Sequence, residues 1–284
     1  MRIRVVETVQ GMRAAVRQCR AVSGPIGFVP TMGALHEGHG SLVRKSAAEC
    51  GTTVVSVFVN PTQFNDPEDL RRYPRNLQAD LDLCEKWGAD IVFAPPVEEI
   101  YPDGPLTWVE VGALTEHLCG KFRPGHFRGV ATVVAKLFNI VQPDRAYFGQ
   151  KDAQQVAVIR RMMRDLNYPV DVRVLPTVRE PDGLALSSRN LRLSPEHRIL
   201  APRLFQALRV AADLASAGER DSGVLRHRGT AELEHPDIRV EYFEVVDAHT
   251  LQPMSRVDRE ALIAAAIWLG GVRLIDNVPW PDAT

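Results

Sequence analysis

The 284-residue sequence has few of the features that mark secreted or membrane proteins. Its four cysteines lie far apart and form no C-x-x-C pair: Cys19, Cys50, Cys84 and Cys119. This spacing argues against a zinc site or a disulfide framework and favours reduced thiols. No run approaches the roughly 18 apolar residues of a membrane span. The segment that begins at Met1 also has no long apolar stretch of the kind found in secretory signals. We therefore predict a soluble, cytoplasmic protein with no membrane partner.

The sequence also lacks an excess of charge of either sign. Its 34 Lys and Arg residues and 35 Asp and Glu residues give a formal net charge of -1. Proteins whose main function is to bind a polyanion usually carry a strong basic excess, so we predict no nucleic-acid partner. A local basic pocket for a small phosphate ligand remains compatible with this balance.

Several common catalytic motifs are absent. Gly120-Lys121 is followed by Phe122 and has no earlier glycine at P-loop spacing. The glycines at 38 and 40 lack the third member of a dinucleotide fingerprint. The segment His36–His39 is one residue too short for the H-E-x-x-H zinc motif, and there is no G-x-S-x-G nucleophile elbow.

Apolar periodicity predicts strands that alternate with helices through the first part of the chain. The predicted strands are 26–29, 53–59, 90–94, 145–148 and 170–175, and the predicted helices are 8–21, 41–50, 77–87, 129–141 and 154–166. This alternation indicates an α/β fold, a Rossmann-like parallel sheet with helices on both faces.

The pattern changes after Thr177. A helix over 200–214 is followed by three predicted strands, 239–246, 261–268 and 272–275. We therefore predict two domains, residues 1–177 and a smaller C-terminal α+β domain over 178–284 that acts as a lid.

The segment Met32–His39 follows the first strand and predicts a turn into a helix whose first turn carries His36 and His39. Residues three apart share one helix face. Unpaired backbone N–H groups and the helix dipole favour phosphate at a helix N-terminus. The alternative is two surface histidines beside a glycine turn. The strand, turn glycine and helix start together favour a nucleotide pocket.

Two further clusters contain groups that suit phosphate. Gly149-Gln150-Lys151-Asp152 follows a strand, and ligands of open α/β sheets lie outside the carboxyl ends of the strands. We therefore expect Lys151 to face the same crevice as His36. Leu186-Ser187-Ser188-Arg189 offers two hydroxyls and a guanidinium. Each cluster alone is also compatible with a solvated polar loop.

Other candidates are weaker individually. Asn60, Gln63 and Gln155 carry neutral amides suited to substrate hydroxyls. Asp80 is either a metal ligand or a solvated helix residue. The basic stretch Lys121–Gly129 either holds an anion or is a solvated loop.

In this order, the clusters resemble the pantoate–β-alanine ligase family. The matching segments are Pro30–His39, Phe58–Phe64, His126–Val130, Phe148–Gln155, Asp182–Asn190, Val245–Asp247 and Leu274–Asn277. The resemblance covers nearly the whole chain. It implies the nucleotidylyl-transferase fold of the HIGH superfamily and an AMP-forming ligase, a homodimer that uses ATP and Mg²⁺. The implied reaction condenses pantoate with β-alanine through a pantoyl-adenylate, and it releases AMP and pyrophosphate.

The resemblance also implies residue roles. It makes His39 the family's proton donor. We further predict that His36, Lys151 and Arg189 are catalytic, because they can hold the β- and γ-phosphates as they leave. The implied ATP-binding residues are Met32, Gly33, Ala34, Leu35, His36, Glu37, Gly38, His39, Gly149, Gln150, Lys151, Asp152, Val178, Leu186, Ser187, Ser188 and Arg189. By the same resemblance Gln63 would contact pantoate and β-alanine, and Gln155 would contact pantoate. From the residues themselves we predict that Asn60 also contacts pantoate and that Asp80 helps to place the metal.

Three residues depart from the commonest family pattern: Gly40 for a larger apolar residue, Leu186 for methionine and Gln150 for glutamate. The first predicts looser local packing. Ala79 beside Asp80 breaks an acidic pair present in some members, which weakens the metal assignment. Two rival functions remain, a nucleotidylyltransferase that keeps AMP on its product and a tRNA-charging or RNA-binding protein.

Overall fold

The computed structural model describes residues 3–281, which form two compact units. The first contains the described residues up to Val111 together with Arg123–Gly149 and Val158–Pro176. The second contains Gly112–Phe122, Gln150–Ala157 and the described residues from Thr177 onward. Two short segments that precede the predicted boundary at residue 177 thus belong to the second unit. The predicted domains also include Met1, Arg2 and 282–284, which lie outside the described residues.

The first unit is built on a six-stranded, fully parallel sheet. Its strands are β1 (Arg4–Val6), β2 (Ile26–Thr31), β3 (Thr52–Val57), β4 (Ile91–Phe93), β5 (Arg145–Gly149) and β6 (Asp171–Leu175), in the spatial order β1-β4-β3-β2-β5-β6. Its helices are α1 (Val9–Ser23), α2 (Glu37–Glu49), α3 (Pro67–Arg72), α4 (Leu77–Trp87), α5 (Val97–Ile100), α7 (His126–Val141) and most of α8 (Ala153–Asp165). The predicted α/β fold class is confirmed.

The strand order reverses direction beside β2. The connection from β2 leads to β3 on one side, whereas β5 lies on the other side. Ligands of open parallel sheets bind at such a switch point, outside the carboxyl ends of the strands. The residues after Thr31 and those around Gly149 therefore lie at the favoured edge of the sheet.

Strand β2 is longer than predicted because it continues through Pro30. Pro30 has no N–H, yet it pairs in register with Ser56 of β3. Pairing with β5 involves only Gly27 and Phe28. Pro30 is tolerated because β5 does not pair with β2 at this position, so no backbone N–H is needed there.

Gly40 in α2 does not loosen the packing, so that prediction is wrong. The Trp87 indole occupies the space, and a Cβ on Gly40 would lie 2.6 Å from Trp87 Cε2. Trp87 belongs to a buried cluster with Val43, Val55 and Val92 that packs α2 and α4 against the sheet.

The second unit contains a three-stranded antiparallel sheet and the remaining helices. Its strands, in spatial order, are β7 (Ile238–Asp247), β8 (Ala261–Leu269) and β9 (Val272–Trp280), and its helices are α6 (Leu118–Phe122), α9 (Pro195–Leu200), α10 (Arg203–Ser216) and α11 (Ser222–Ala231). Leu204 and Leu208 of α10 pack with Ile263 and Ile267 of β8 in its core. Strand β9 extends five residues beyond the predicted end at residue 275. Within residues 3–281, no helix is long and apolar enough to cross a membrane.

Candidate active site

The turn between β2 and α2 has an unusual backbone. Gly33 and Ala34 both have positive φ, 79° and 50°. Thr31 Oγ1 accepts a hydrogen bond from the Gly33 N–H at 3.1 Å and donates one to the Ser56 carbonyl at 2.6 Å. The end of β2 thereby fixes the start of the turn.

Asp80, in the first turn of α4, holds the rest of this turn. Its two carboxylate oxygens accept hydrogen bonds from the backbone N–H groups of Ala34 and Leu35, at 3.1 and 2.8 Å. The residue is only 3 % exposed, so the expectation of a solvated Asp80 is wrong. Burial raises the pKa of this carboxyl, although the two N–H donors oppose the shift.

Each Asp80 oxygen accepts one backbone N–H and keeps a further lone pair, so the contact of Asp80 with the metal stays a prediction. Among residues 3–281, no group of three or more His, Cys, Asp or Glu side chains could hold a metal ion. The described side chains of this chain therefore do not form a magnesium cage of their own.

The two histidines form a reciprocal cap at the start of α2. His36 is the N-cap residue, and its Nδ1 accepts from the Gly38 N–H at 3.2 Å. Nδ1 of His39 accepts from the His36 N–H at 3.3 Å. The two ring centroids lie 4.1 Å apart. In ordinary capping boxes a Ser or Thr pairs with a Glu or Gln, so imidazoles take both roles here.

These caps determine which nitrogen of each ring is a donor. A ring nitrogen that accepts an N–H carries no proton, so the proton of each neutral imidazole is on Nε2. Two Nε2–H donors thus lie at the N-terminus of α2, where the helix dipole favours anions. The geometry of His36 and His39 suits binding of negatively charged oxygens.

Asn60 and Gln63 follow β3, but they play different parts. Asn60 is 1 % exposed, and its Nδ2 donates to the Gln63 Oε1 and the Gly129 carbonyl, at 3.0 and 3.2 Å. Its Oδ1 accepts from the Thr62 and Tyr101 hydroxyls, at 2.9 and 3.1 Å. Because its polar atoms are engaged within the protein, Asn60 orients the Gln63 amide, and the structure does not support direct pantoate binding by Asn60.

Gln63 connects this region to the turn after β2. Its Nε2 lies 3.0 Å from Met32 Sδ. Its backbone carbonyl interacts with His126 Nδ1 at 2.7 Å and accepts from Arg123 at 3.2 Å. The basic stretch over 121–129 is therefore partly buried and positions Gln63, so describing all of it as a solvated loop is wrong. The sequence patterns did not reveal Tyr101 and Arg123 as positioning residues, and no local pattern distinguishes Tyr101 from other core tyrosines.

In the second unit, the remaining candidates lie on two segments. Gln150–Asp152 forms a single 3₁₀ turn after β5. The Lys151 side chain is 20 % exposed, and its Nζ lies 3.8 Å from Asp152 Oδ2. Gln155 is half-buried in the first turn of α8.

The other segment brings Val178 and Leu186 together, because the Leu186 N–H donates to the Val178 carbonyl at 3.0 Å. Ser187 caps the 3₁₀ turn Ser188–Arg192, and its hydroxyl accepts from the Arg189 N–H at 3.2 Å. This hairpin presents the Ser-Ser-Arg cluster on a defined backbone.

Comparison with known proteins agrees with the resemblance. The family model described as pantoate-beta-alanine ligase matches residues 4–279. The chain belongs to the pantoate–β-alanine ligase family. It is 52 % identical over 276 residues to a pantothenate synthetase from Thermotoga petrophila, covering 97 % of this chain and 99 % of that protein. It is 53 % identical over 275 residues to the pantothenate synthetase of Moorella thermoacetica, covering 96 % and 97 %.

Solved structures of the family share the fold. A crystal structure of pantothenate synthetase from Thermus thermophilus superposes with a TM-score of 0.92 at 49 % identity, covering 97 % of this chain and 99 % of that one. A pantoate-beta-alanine ligase from Francisella tularensis, complexed with beta-gamma ATP and β-alanine, gives 0.81 at 34 % identity, covering 97 % of both chains.

Proposed function

We propose that this chain condenses pantoate with β-alanine at the expense of ATP, forming pantothenate, AMP and pyrophosphate through a pantoyl-adenylate. Family membership over residues 4–279 supports this assignment. The observation that carries it is the histidine cap at the switch point, because it places two Nε2–H donors at a helix N-terminus.

In the first step, a carboxylate oxygen of pantoate attacks the α-phosphorus of ATP. The bond from that phosphorus to the bridging oxygen breaks, and pyrophosphate leaves with the electron pair. Negative charge grows on the leaving phosphates, so catalysis depends on positioning and on charge stabilisation. The proposed donors to these phosphates are His36, His39, Lys151, Ser187, Ser188 and Arg189.

In the second step, the neutral amine of β-alanine attacks the acyl carbon of the mixed anhydride. The bond from that carbon to the phosphate oxygen breaks, AMP leaves, and the amine loses a proton. We propose that Gln63, held by Asn60 and by Met32 Sδ, contacts pantoate and β-alanine, and that Gln155 contacts pantoate.

Three further predictions accompany this function. The protein forms a homodimer, as the family resemblance implies. It works in the cytoplasm, which the four unpaired thiols of the described chain support. It uses Mg²⁺. We propose that Asp80 helps to place this ion.

The function is tested by measuring free AMP. A ligase releases AMP only when both pantoate and β-alanine are present. The rival nucleotidylyltransferase would keep AMP on its product whether or not the amine is added. Formation of a stable adenylylated product without AMP release on adding β-alanine would overturn the proposal.

The role of His39 is tested with two variants. His39→Ala should slow adenylate formation by about a hundredfold or more, since it removes one donor to developing charge. It also removes the acceptor for the His36 N–H. The second variant, His39→Gln, places at this position a residue that commonly completes a capping box, so it should keep the fold but not the rate.

The matched control is His249→Ala. His249 is an exposed histidine that pairs with Glu260 at 3.1 Å, away from the proposed ATP-binding segments in sequence. It should react at the wild-type rate. A normal rate of adenylate formation in folded His39→Gln would refute the assigned role.

A further inference from the structure

Strand β9 carries two buried polar residues, Asp276 and Asn277, that the proposed chemistry does not use. Asn277 is 4 % exposed and Asp276 3 %. Both residue types are disfavoured in strands, and a buried amide is costly unless it is hydrogen-bonded. Their contacts therefore explain their presence.

Asn277 binds the 3₁₀ turn that carries Lys151. Its Nδ2 donates to the backbone carbonyls of Gln150 and Lys151, at 3.0 and 2.9 Å. Its Oδ1 accepts from the Gln150 side-chain amide at 3.3 Å. Carbonyls only accept, so the orientation of the Asn277 amide is determined by its partners. Three hydrogen bonds from one side chain thus hold a turn 126 residues away in sequence.

The neighbouring residue holds the second candidate segment. Asp276 forms a two-pronged ion pair with Arg179, at 2.5 and 3.0 Å, and the Arg179 guanidinium stacks on Phe205 at 3.7 Å. Arg179 directly follows Val178. Burial raises the pKa of Asp276, while the positive charges of Arg179 and Lys151 favour its ionised form. Adjacent positions of one strand therefore contact both segments of the second unit that contain proposed ATP-binding residues.

We propose that Asn277 is a positioning residue that holds the Lys151 backbone, and through it the Lys151 ammonium, where the leaving phosphates of ATP are bound. This inference rests on the proposed function. Lys151 has a long flexible side chain, so the position of its backbone sets the volume that its ammonium can reach. A lysine on a loose turn would contact the phosphates for a smaller fraction of the time.

The inference is tested in the first half-reaction, measured as pantoate-dependent exchange of pyrophosphate into ATP. Asn277→Ala removes all three hydrogen bonds. It should lower kcat/KM for ATP by about tenfold to a hundredfold, the range expected for misplacement of a binding group. KM for pantoate should stay within about twofold of the wild-type value. Asn139→Ala is the control, since it removes an exposed amide whose Nδ2 bonds the Tyr168 hydroxyl.

A double-variant comparison separates positioning from general stability. If Asn277 acts through Lys151, adding Asn277→Ala to Lys151→Ala should change the exchange rate by less than about twofold. Aminolysis of supplied pantoyl-adenylate by β-alanine should stay near the wild-type rate in the single variant, because pyrophosphate has already left. If the fold-decreases in exchange rate caused by the two substitutions multiply in the double variant, the inference is overturned. A wild-type kcat/KM for ATP in the Asn277 variant would also overturn it.

Two controls accompany this experiment, one for folding of the variant and one for activity of the wild-type enzyme. Circular dichroism and thermal unfolding establish whether Asn277→Ala folds. If it does not, Asn277→Ser, which keeps one donor, is carried through the same comparison. Wild-type enzyme in every assay reports on the proposed function itself. If the wild-type enzyme forms no pantothenate, the proposed function is rejected. If the wild-type enzyme forms pantothenate and the Asn277 variant exchanges pyrophosphate at the same rate, only the positioning role is rejected.

Discussion

Replacing Asp80 tests whether a buried carboxylate builds the turn that presents the histidines. Asp80→Asn keeps one acceptor oxygen but directs an amide N–H₂ at the other backbone donor, so one of the N–H groups of Ala34 and Leu35 loses its partner. A buried N–H without an acceptor costs about 1–3 kcal/mol, and we expect the free energy of unfolding to fall by that amount. Asp80→Ala removes both acceptors and should lower it by about 2–6 kcal/mol, less the gain from removing a buried carboxylate.

Urea unfolding followed by circular dichroism measures the effect, and the exchange of pyrophosphate into ATP measures its consequence for the site. Asp82→Asn is the matched control, because Asp82 lies on the same helix, is exposed and accepts a hydrogen bond from the Gln78 side chain. It should change stability by less than about 0.5 kcal/mol. If Asp80→Asn were as stable and as active as this control, the assigned role of the carboxylate would be refuted.

Two further predictions concern stability. Arg259 and backbone N–H groups lower the pKa of Asp247 below its ordinary value of 3.8. The folded-state pKa is thus below the unfolded one, and the stability from this carboxylate, complete above the unfolded value, is lost as pH falls through the folded value. Urea titrations should therefore show Asp247→Asn less stable than wild type at neutral pH, with the gap narrowing in acid; parallel curves would contradict this. Gly40→Ala should lower the unfolding free energy by about 1–3 kcal/mol, because its Cβ would overlap the Trp87 ring. The double variant with Trp87→Leu should lose less than the sum of the single losses, and strict additivity would show that the two residues do not interact.

The parallel sheet could be predicted because its strands are nearly continuous apolar runs, which occur where both faces are buried. The predicted strand over 53–59 is an example, and the observed strand Thr52–Val57 is buried at all positions but the last. The end of β9 could not be predicted in this way. Asp276, Asn277 and Pro279 all argue locally against a strand, and the structure accepts them because β9 is an edge strand whose polar residues find distant partners.

The candidate phosphate-binding residues stay predictions, and the sequence singles them out because each cluster follows a strand or a turn glycine. The sequence could not reveal their supporting contacts. Asp80 lies 46 positions from Ala34, whose backbone it holds, and its isolated occurrence on a helix resembles that of any surface aspartate. Asn60 is the converse case, because its position after a strand suggested a substrate contact, whereas the structure shows its amide bonded to Gln63 and to the Gly129 carbonyl.

Asp80 and Asn277 share a physical principle, because each holds a distant segment mainly through the main-chain groups of that segment. Each side chain bonds main-chain groups of the held segment, which every residue except proline supplies in full. The Asn277 donors reach the carbonyls of Gln150 and Lys151, so these two bonds do not depend on which side chain occupies position 150. A glutamate there would lose only the third bond, to the Asn277 Oδ1. Hydrogen bonds to the main chain therefore fix the path of the turn, and the side chains of the turn remain available to bind substrate.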